Sequence, residues 1–287
     1  GLESLSDQAA KALAKHKGYL YLSSLTSLSD QAAKALAKHK GDLDLNGLTL
    51  LGDSPGHVAM AVKLSENHEL FLDGLESLSD RAAEALAKHE GDLHLDGLES
   101  LSDQAAKALA KHKGDLYLGT LTTLTDKASE ALAQHVGDLL LDGLESLSDQ
   151  AAKALAKHKG DLYLGSLTFL TEKAAKALAK HKGDLYLDGL TFLTEKAAEA
   201  LAQHGGSLHL GGLTFLTNQA TEALAKHKGY LYLSSERPYL TDKAAEALAK
   251  YKRDNLSLNG LTTLTDQAAK HQGRFVPRHP DYHPYRS

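Results

Sequence analysis

Leucine recurs along this chain in a fixed rhythm. Within one unit, Leu162 and Leu164 alternate with polar or aromatic residues after Gly160, and Leu167 and Leu170 follow. Ala174, Ala175, Leu178 and Ala179 then mark a single stripe at helical spacing. The alternating part has the period of a short strand with one buried face, and the second part has that of an amphipathic helix. Thr171 stands where an N-cap hydroxyl is needed, and Glu172 suits the positive end of the helix dipole. Gly183 is expected to close that helix in a left-handed conformation.

The rhythm restarts at Gly18, Gly41, His68, Gly91, Gly114, Gly137, Gly160, Gly183, Gly206, Gly229 and Asp254, after a partial unit over 1–17. The segment 1–17 returns unchanged at 97–113 and 143–159. One such unit cannot bury both of its own faces, so the units are expected to stack, with their strands side by side in one parallel sheet and their helices lining the other side. About eleven strands at ~4.8 Å spacing make a sheet of roughly 50 Å.

The shared string L-x-L-x-x-L-x-x-L-[ST]-[DE]-x-x-A-x-x-L-A resembles the cysteine-containing class of leucine-rich repeats over nearly the whole chain. Leu75, Leu98 and Leu144 occupy the Cys position of that class, and Leu78, Leu101 and Leu147 its Ile position. The unit is shorter by about three residues, nearer to short repeats of bacterial type. The resemblance implies an α/β horseshoe with a parallel β-sheet on the concave face and short α-helices on the convex face. It also implies a role in binding proteins, as in ubiquitin-ligase substrate receptors, although this chain has no F-box-like segment. The expected solenoid spans 1–273, with a Pro/Arg/His/Tyr tail over 274–287 that caps the last coil or is disordered. Because the chain opens in mid-unit at Gly1, it is read as a fragment whose exposed end coils leave oligomerisation open.

Two coils break the pattern. The unit 41–67 has four extra residues and the string Gly52-Asp53-Ser54-Pro55-Gly56-His57. A turn is expected there, with Pro55 starting a shifted helix that contains Val58, Met60 and Val62. Asp53, Ser54 and His57 are the only residues on which a catalytic reading could lean, and they lie too close in sequence to form a triad. The unit 229–253 is disturbed at Ser235-Glu236-Arg237-Pro238-Tyr239, where a local bulge is expected.

Positions that are fixed in every coil serve the fold, whereas positions that vary can serve a ligand. The side chains flanking the two strand leucines point to the concave face and form three columns. The first is mostly acidic and includes Asp92, Asp115, Asp161 and Asp184. The second is mostly aromatic and includes Phe71, His94, Tyr117, Tyr163, Tyr186, His209 and Tyr232. The third adds Asp73, Asp96, Asp142 and Asp188 among glycines and other small residues. The columns hold twelve Asp or Glu and no Lys or Arg, while the whole chain carries a net charge of only -5. Such a strip suits a basic or extended protein segment, through charge steering and stacking of Arg or Lys on Tyr faces, and it repels nucleic acid. The alternative is a structural surface protein that binds glycan through the same Tyr and Asp columns. Stacked aromatics can also stabilise a sheet with no ligand at all.

The chain has no Cys, hence no disulfide, thiolate metal site or Cys nucleophile. It shows no run of the ~18 apolar residues that a membrane span requires. His16, His39, His89, His112, His135, His158, His181, His204 and His227 form a further column at the helix ends. There imidazole can cap carbonyls and meet the dipole, so capping is preferred to metal binding. Thr168, Thr191 and Thr214 recur as well, but Phe169, Phe192 and Phe215 beside them spoil a flat Thr plane of the kind that binds ice or glycan. No cofactor and no metal site are expected, and the chain is read as a non-catalytic scaffold.

Overall fold

The computed structural model describes residues 2–233, 241–251 and 256–258. Each coil is a two-residue strand, a turn and a short helix, as in Leu162–Tyr163 followed by Glu172–Leu178. The helix begins where the side-chain chemistry dictates. Thr171 is extended, and its hydroxyl accepts from the N–H of Ala174 at 3.0 Å. The same Ser or Thr cap opens the equivalent helices, for example at Ser102 and Ser148.

The cap also ties neighbouring coils together. The Thr171 hydroxyl donates to Asp149 at 2.5 Å, and Ser148 does the same to Asp126. Asp149 and Asp126 are the first residues of the preceding helices. The Ser/Thr-Asp pair of the repeat is therefore half an N-cap and half an inter-coil link. Where that residue is Glu172, one methylene longer, it pairs with Lys196 at 3.6 Å instead.

Nine strands, from Leu70–Phe71 to Leu256–Ser257, form one parallel sheet in chain order, with the first Leu of each strand opposite that of the next, as Leu162 is opposite Leu185. The leucines of successive strands and helices are buried in one continuous core with the alanines of the helices. The side chains at the second strand position from His94 to Tyr232 stay half-buried on the outer face of the sheet, while Phe71 is exposed and Ser257 buried.

The sheet is not continuous over the whole chain, as the repeat had suggested. Leu20–Tyr21 and Leu43–Asp44 form a separate pair, and a further short pairing joins Leu50–Leu51 to Ser77–Leu78. The cause is the longer coil 41–67, whose helix Pro55–Leu64 has ten residues where the other helices have seven. In regular coils the strand N–H reaches the next coil, as Leu162 does to the Asp184 carbonyl. At the break, the Asn67 amide takes over, accepting from the N–H of Leu43 at 3.3 Å and donating to its carbonyl at 2.7 Å. The expected helix start holds, since Ser54 is the N-cap and Pro55 stands in the first turn.

Glycine plays a different part from the one expected. The helix before Gly183 ends at Leu178 with Ala179 as a right-handed cap, so Gly183 does not close it, and its backbone is not left-handed. The residue is small because a neighbouring coil passes against it. A Cβ on Gly183 would lie 2.3 Å from the carbonyl oxygen of Gly160, and one on Gly160 would lie 2.3 Å from that of Gly137.

A paired test follows from this contact. Gly160→Ala forces two coils apart and is expected to lower stability by about 3 kcal/mol or more. Gly205→Ala, where nothing lies within 4 Å, is expected to be neutral or to gain up to about 1 kcal/mol by restricting the unfolded chain. Urea unfolding followed by circular dichroism compares them, and equal midpoints would refute the inter-coil contact as the reason for glycine.

Candidate functional site

The outer face of the sheet carries the candidate residues in register, because parallel pairing sets each coil's side chains beside their counterparts. In the aromatic column, Phe71 contacts His94 with centroids 4.6 Å apart, and His94 stacks on Tyr117 at 4.0 Å. Tyr163 stacks on Tyr186 at 4.0 Å, and Tyr186 on His209 at 4.1 Å. His209 then meets Tyr232 in a tilted contact at 5.5 Å. Leu140 interrupts the column between Tyr117 and Tyr163. Burial and the nearby aspartates push the Tyr117 and Tyr186 phenols up, and burial with the Tyr186 hydrogen bond does so at Tyr163. All three hydroxyls therefore stay protonated as donors at neutral pH.

Stacking changes what these rings offer. Within the Tyr163, Tyr186 and His209 run the ring faces cover one another, so a guanidinium or a sugar cannot lie flat between them. What is left is the ring edges, the hydroxyls and the faces beside Leu140.

The acidic column is also a ladder. Asp115, Asp138, Asp161 and Asp184 each accept from the backbone N–H one coil ahead, at Asp138, Asp161, Asp184 and Ser207, over 2.7–2.8 Å. Asp92 begins the run by accepting from Asp115 at 3.0 Å. Each bond uses one carboxylate oxygen. Burial, with neighbouring aspartates adding to it, holds the Asp115, Asp138 and Asp161 carboxyls above their ordinary range. The structure therefore brings the sequence-predicted residues into one strip, and it gives the aspartates a structural duty, toward the backbone N–H of the next coil rather than a helix-end Lys or His.

The third column holds groups that sequence reading did not select. Asp96, Asp142 and Asp188 accept from the backbone N–H of Gly119, Gly165 and Gly211 at 2.7, 2.8 and 2.7 Å. A Cβ at Gly119 or Gly165 would stand 2.6 Å from the carboxylate oxygen that it faces. The alternation of Asp and Gly in this column was the available signal.

At the helix ends, the histidines from His89 to His227 stack as nearly parallel rings about 6 Å apart. They are buried. Backbone carbonyls lie around the rings, but both ring nitrogens of His112, His135, His158, His181, His204 and His227 lack a full hydrogen bond, so the expected capping of helix carbonyls is not made there. His39 Nε2 lies 2.7 Å from the Gly18 carbonyl oxygen, and His89 Nδ1 lies 3.3 Å from that of Ser65. At His112 the Ala87 and Gly91 carbonyls face the ring without closing to full hydrogen bonds. Tyr251 replaces His in the last described coil and donates its hydroxyl to the Gly229 carbonyl.

Asp53, Ser54 and His57 do not assemble as a triad. The Ser54 hydroxyl accepts from the His57 backbone N–H at 3.3 Å, and the His57 ring accepts from the Gly52 N–H at 3.0 Å through Nδ1. Its Nε2 lies 2.9 Å from the Leu28 carbonyl, to which it donates. Both ring nitrogens are thus bound to backbone, and the three residues start a helix. Ser234 to Tyr239 and the tail 274–287 lie outside the described residues.

Stacked coils with an outer parallel sheet and buried leucine columns define this chain as a leucine-rich-repeat solenoid. No protein-family model matches it, and no curated protein matches it in sequence. Among solved structures it is similar to an internalin from Listeria monocytogenes, with 12% identity, 93% of this chain and 81% of that one covered, and a TM-score of 0.51. A leucine-rich-repeat protein from Leptospira interrogans matches at 16% identity over 96% of this chain and 86% of its own, with a TM-score of 0.41. A TLR13–ssRNA13 complex matches at 18% identity, covering 91% of this chain and 38% of that one, with a TM-score of 0.49. The internalin shares the fold.

The histidine ladder predicts a pH dependence. Burial and flanking histidines lower His158 and His204 from 6.5 to about 4. A base held neutral by folding stabilises the fold fully above its unfolded value, and that stability is lost as pH falls from about 6.5 toward about 4. Each of these two histidines is expected to account for about 3 kcal/mol over that window. The aspartate ladder works the other way, because its carboxyls take up protons more readily when folded, but it does so nearer the ordinary carboxylate range. The urea midpoint is therefore expected to fall first on going from pH 7 to 5. A flat profile would sink this account, and His158→Asn should reduce the slope.

Proposed function

We propose that this chain is a non-catalytic protein-binding scaffold whose concave strip holds a basic or extended protein segment. The carrying observation is the charge arrangement. A column of half-buried aspartates, with carboxyls raised by burial and by one another, runs beside protonated tyrosine hydroxyls, and no Lys or Arg stands in any of the three columns. A cation laid along the strip relieves that repulsion. The binding set is Phe71, Asp92, His94, Asp115, Tyr117, Asp161, Tyr163, Asp184, Tyr186, His209 and Tyr232. Contact is made through carboxylate oxygens, hydroxyls and ring edges, with ring faces used beside Leu140. The same charge disfavours nucleic acid on this face, and the mutually covered ring faces disfavour flat stacking of sugars. We further assign the coils to the cysteine-containing repeat class with Leu at its Cys position. In support, Leu75, Leu98 and Leu144 are fully buried there.

Titration of the protein with a nine-residue Arg/Gly/Ser peptide, followed by fluorescence anisotropy, tests this. Affinity is expected to fall at least tenfold between 50 and 300 mM salt. It is also expected to fall at least tenfold in the triple variant Tyr117→Ala, Tyr163→Ala, Tyr186→Ala, with the helical circular dichroism spectrum retained. Salt-insensitive retention on a polysaccharide column would favour glycan instead, and tighter binding of a single-stranded RNA than of the peptide would overturn the proposal.

A further inference from the structure

Two aspartates follow one another in the third column at only one place among the described coils. From Asp96 onward the column alternates strictly, with Gly119, Asp142, Gly165, Asp188 and Gly211, but Asp73 directly precedes Asp96. Parallel stacking sets these two carboxylates side by side, and His94, on the strand that leads into Asp96, stands beside them. Ligand atoms of Asp73, His94 and Asp96 all lie within 4.8 Å of one another, and His94 Nδ1 is 3.8 Å from Asp96 Oδ2. This is the only such group of potential metal ligands among the described residues.

From this convergence of one imidazole nitrogen and two carboxylates we infer that Asp73, His94 and Asp96 form a binding site for a divalent transition-metal ion, of which zinc fits the donor set best. One nitrogen and two oxygens suit zinc, and three protein ligands leave a coordination position open for water or an incoming group.

The surroundings hold the ligands in place. The His94 ring is fixed between Phe71 and Tyr117, at centroid distances of 4.6 and 4.0 Å. Asp96 is anchored through Oδ1 by the Gly119 N–H at 2.7 Å, which leaves Oδ2 on the His94 side. The Asp73 backbone N–H donates to Asn46 Oδ1 at 2.7 Å. Such outer hydrogen bonds and ring contacts orient metal ligands. Zinc at about 2.1 Å from each ligand spaces those atoms about 3.4 Å apart, so side-chain rotation of about an ångström closes the site.

No other coil repeats the set. One coil further along, the equivalent residues are Asp96, Tyr117 and Gly119, and around the column's other histidine they are Asp188, His209 and Gly211.

Isothermal titration of the full chain, without an affinity tag, with zinc chloride at pH 7.5 tests the inference. One site per chain of micromolar affinity or tighter is expected, weakened at least tenfold by His94→Gln and by Asp73→Asn. His68→Gln controls for an exposed imidazole outside the site and is expected to leave that site unchanged. Cobalt(II) binding, read from its visible absorption, is expected to show the same dependence. Thermal melts of the metal-free variants establish that they fold, and Asp73→Asn keeps an acceptor oxygen should His94→Gln disturb the ring stack. Zinc binding unchanged in both Asp73→Asn and His94→Gln, or the absence of a one-to-one site in the parent chain, would overturn the inference. Because the titration uses the metal alone, its outcome is independent of whether the strip binds a basic peptide.

Discussion

Carboxylates and capping hydroxyls at the boundaries between coils are answered, ladder by ladder, by a counterpart from a neighbouring coil, whereas the stacked histidine rings from His112 to His227 are not. A carboxylate of the first strand column takes the N–H of its own equivalent one coil ahead, a helix-capping hydroxyl meets the first carboxylate of the preceding helix, and glycine backbones pass at van der Waals range. Burial of leucine drives coils together, but leucine is non-directional. The ladders are what fix one coil to the next at a set distance, and the aromatic and acidic strip inherits its regularity from that spacing.

The solenoid was legible in the sequence because its signals are local and redundant. The alternation of Leu162 and Leu164, the stripe from Ala174 to Ala179 and the hydroxyl at Thr171 each report on one element, and all three agree with the structure. What could not be read depends on atoms from two coils at once. Gly183 has the look of a helix terminator, yet its smallness answers to a carbonyl 23 residues earlier. Asp115 has the look of a free surface charge, yet it is a hydrogen-bond acceptor. The interruption of the sheet arises from four added residues whose effect on strand pairing is carried by the Asn67 side chain.

The candidate strip shows the same division. Its composition was evident once the columns were aligned, whereas its working surface was not. Stacking at 4.0 Å between Tyr163 and Tyr186 removes ring faces that sequence alone presents as available, and it moves recognition toward edges, hydroxyls and carboxylates. A partner of such a surface is read by its charge and its extended backbone more than by any aromatic pocket.

The alternation of Asp and Gly in the third column carries a consequence for how the chain grew. Asp96 and Asp142 each face a glycine whose Cβ would meet the carboxylate oxygen, whereas Asp73 faces Asp96, so in the alternating part loss or gain of a single coil sets two like residues side by side. Duplication in steps of two coils keeps the pattern whole. The identical segments 97–113 and 143–159 are two coils apart, as that rule requires. A step of two coils therefore preserves the third column where a step of one does not, and Asp73 beside Asp96 is where that alternation ends.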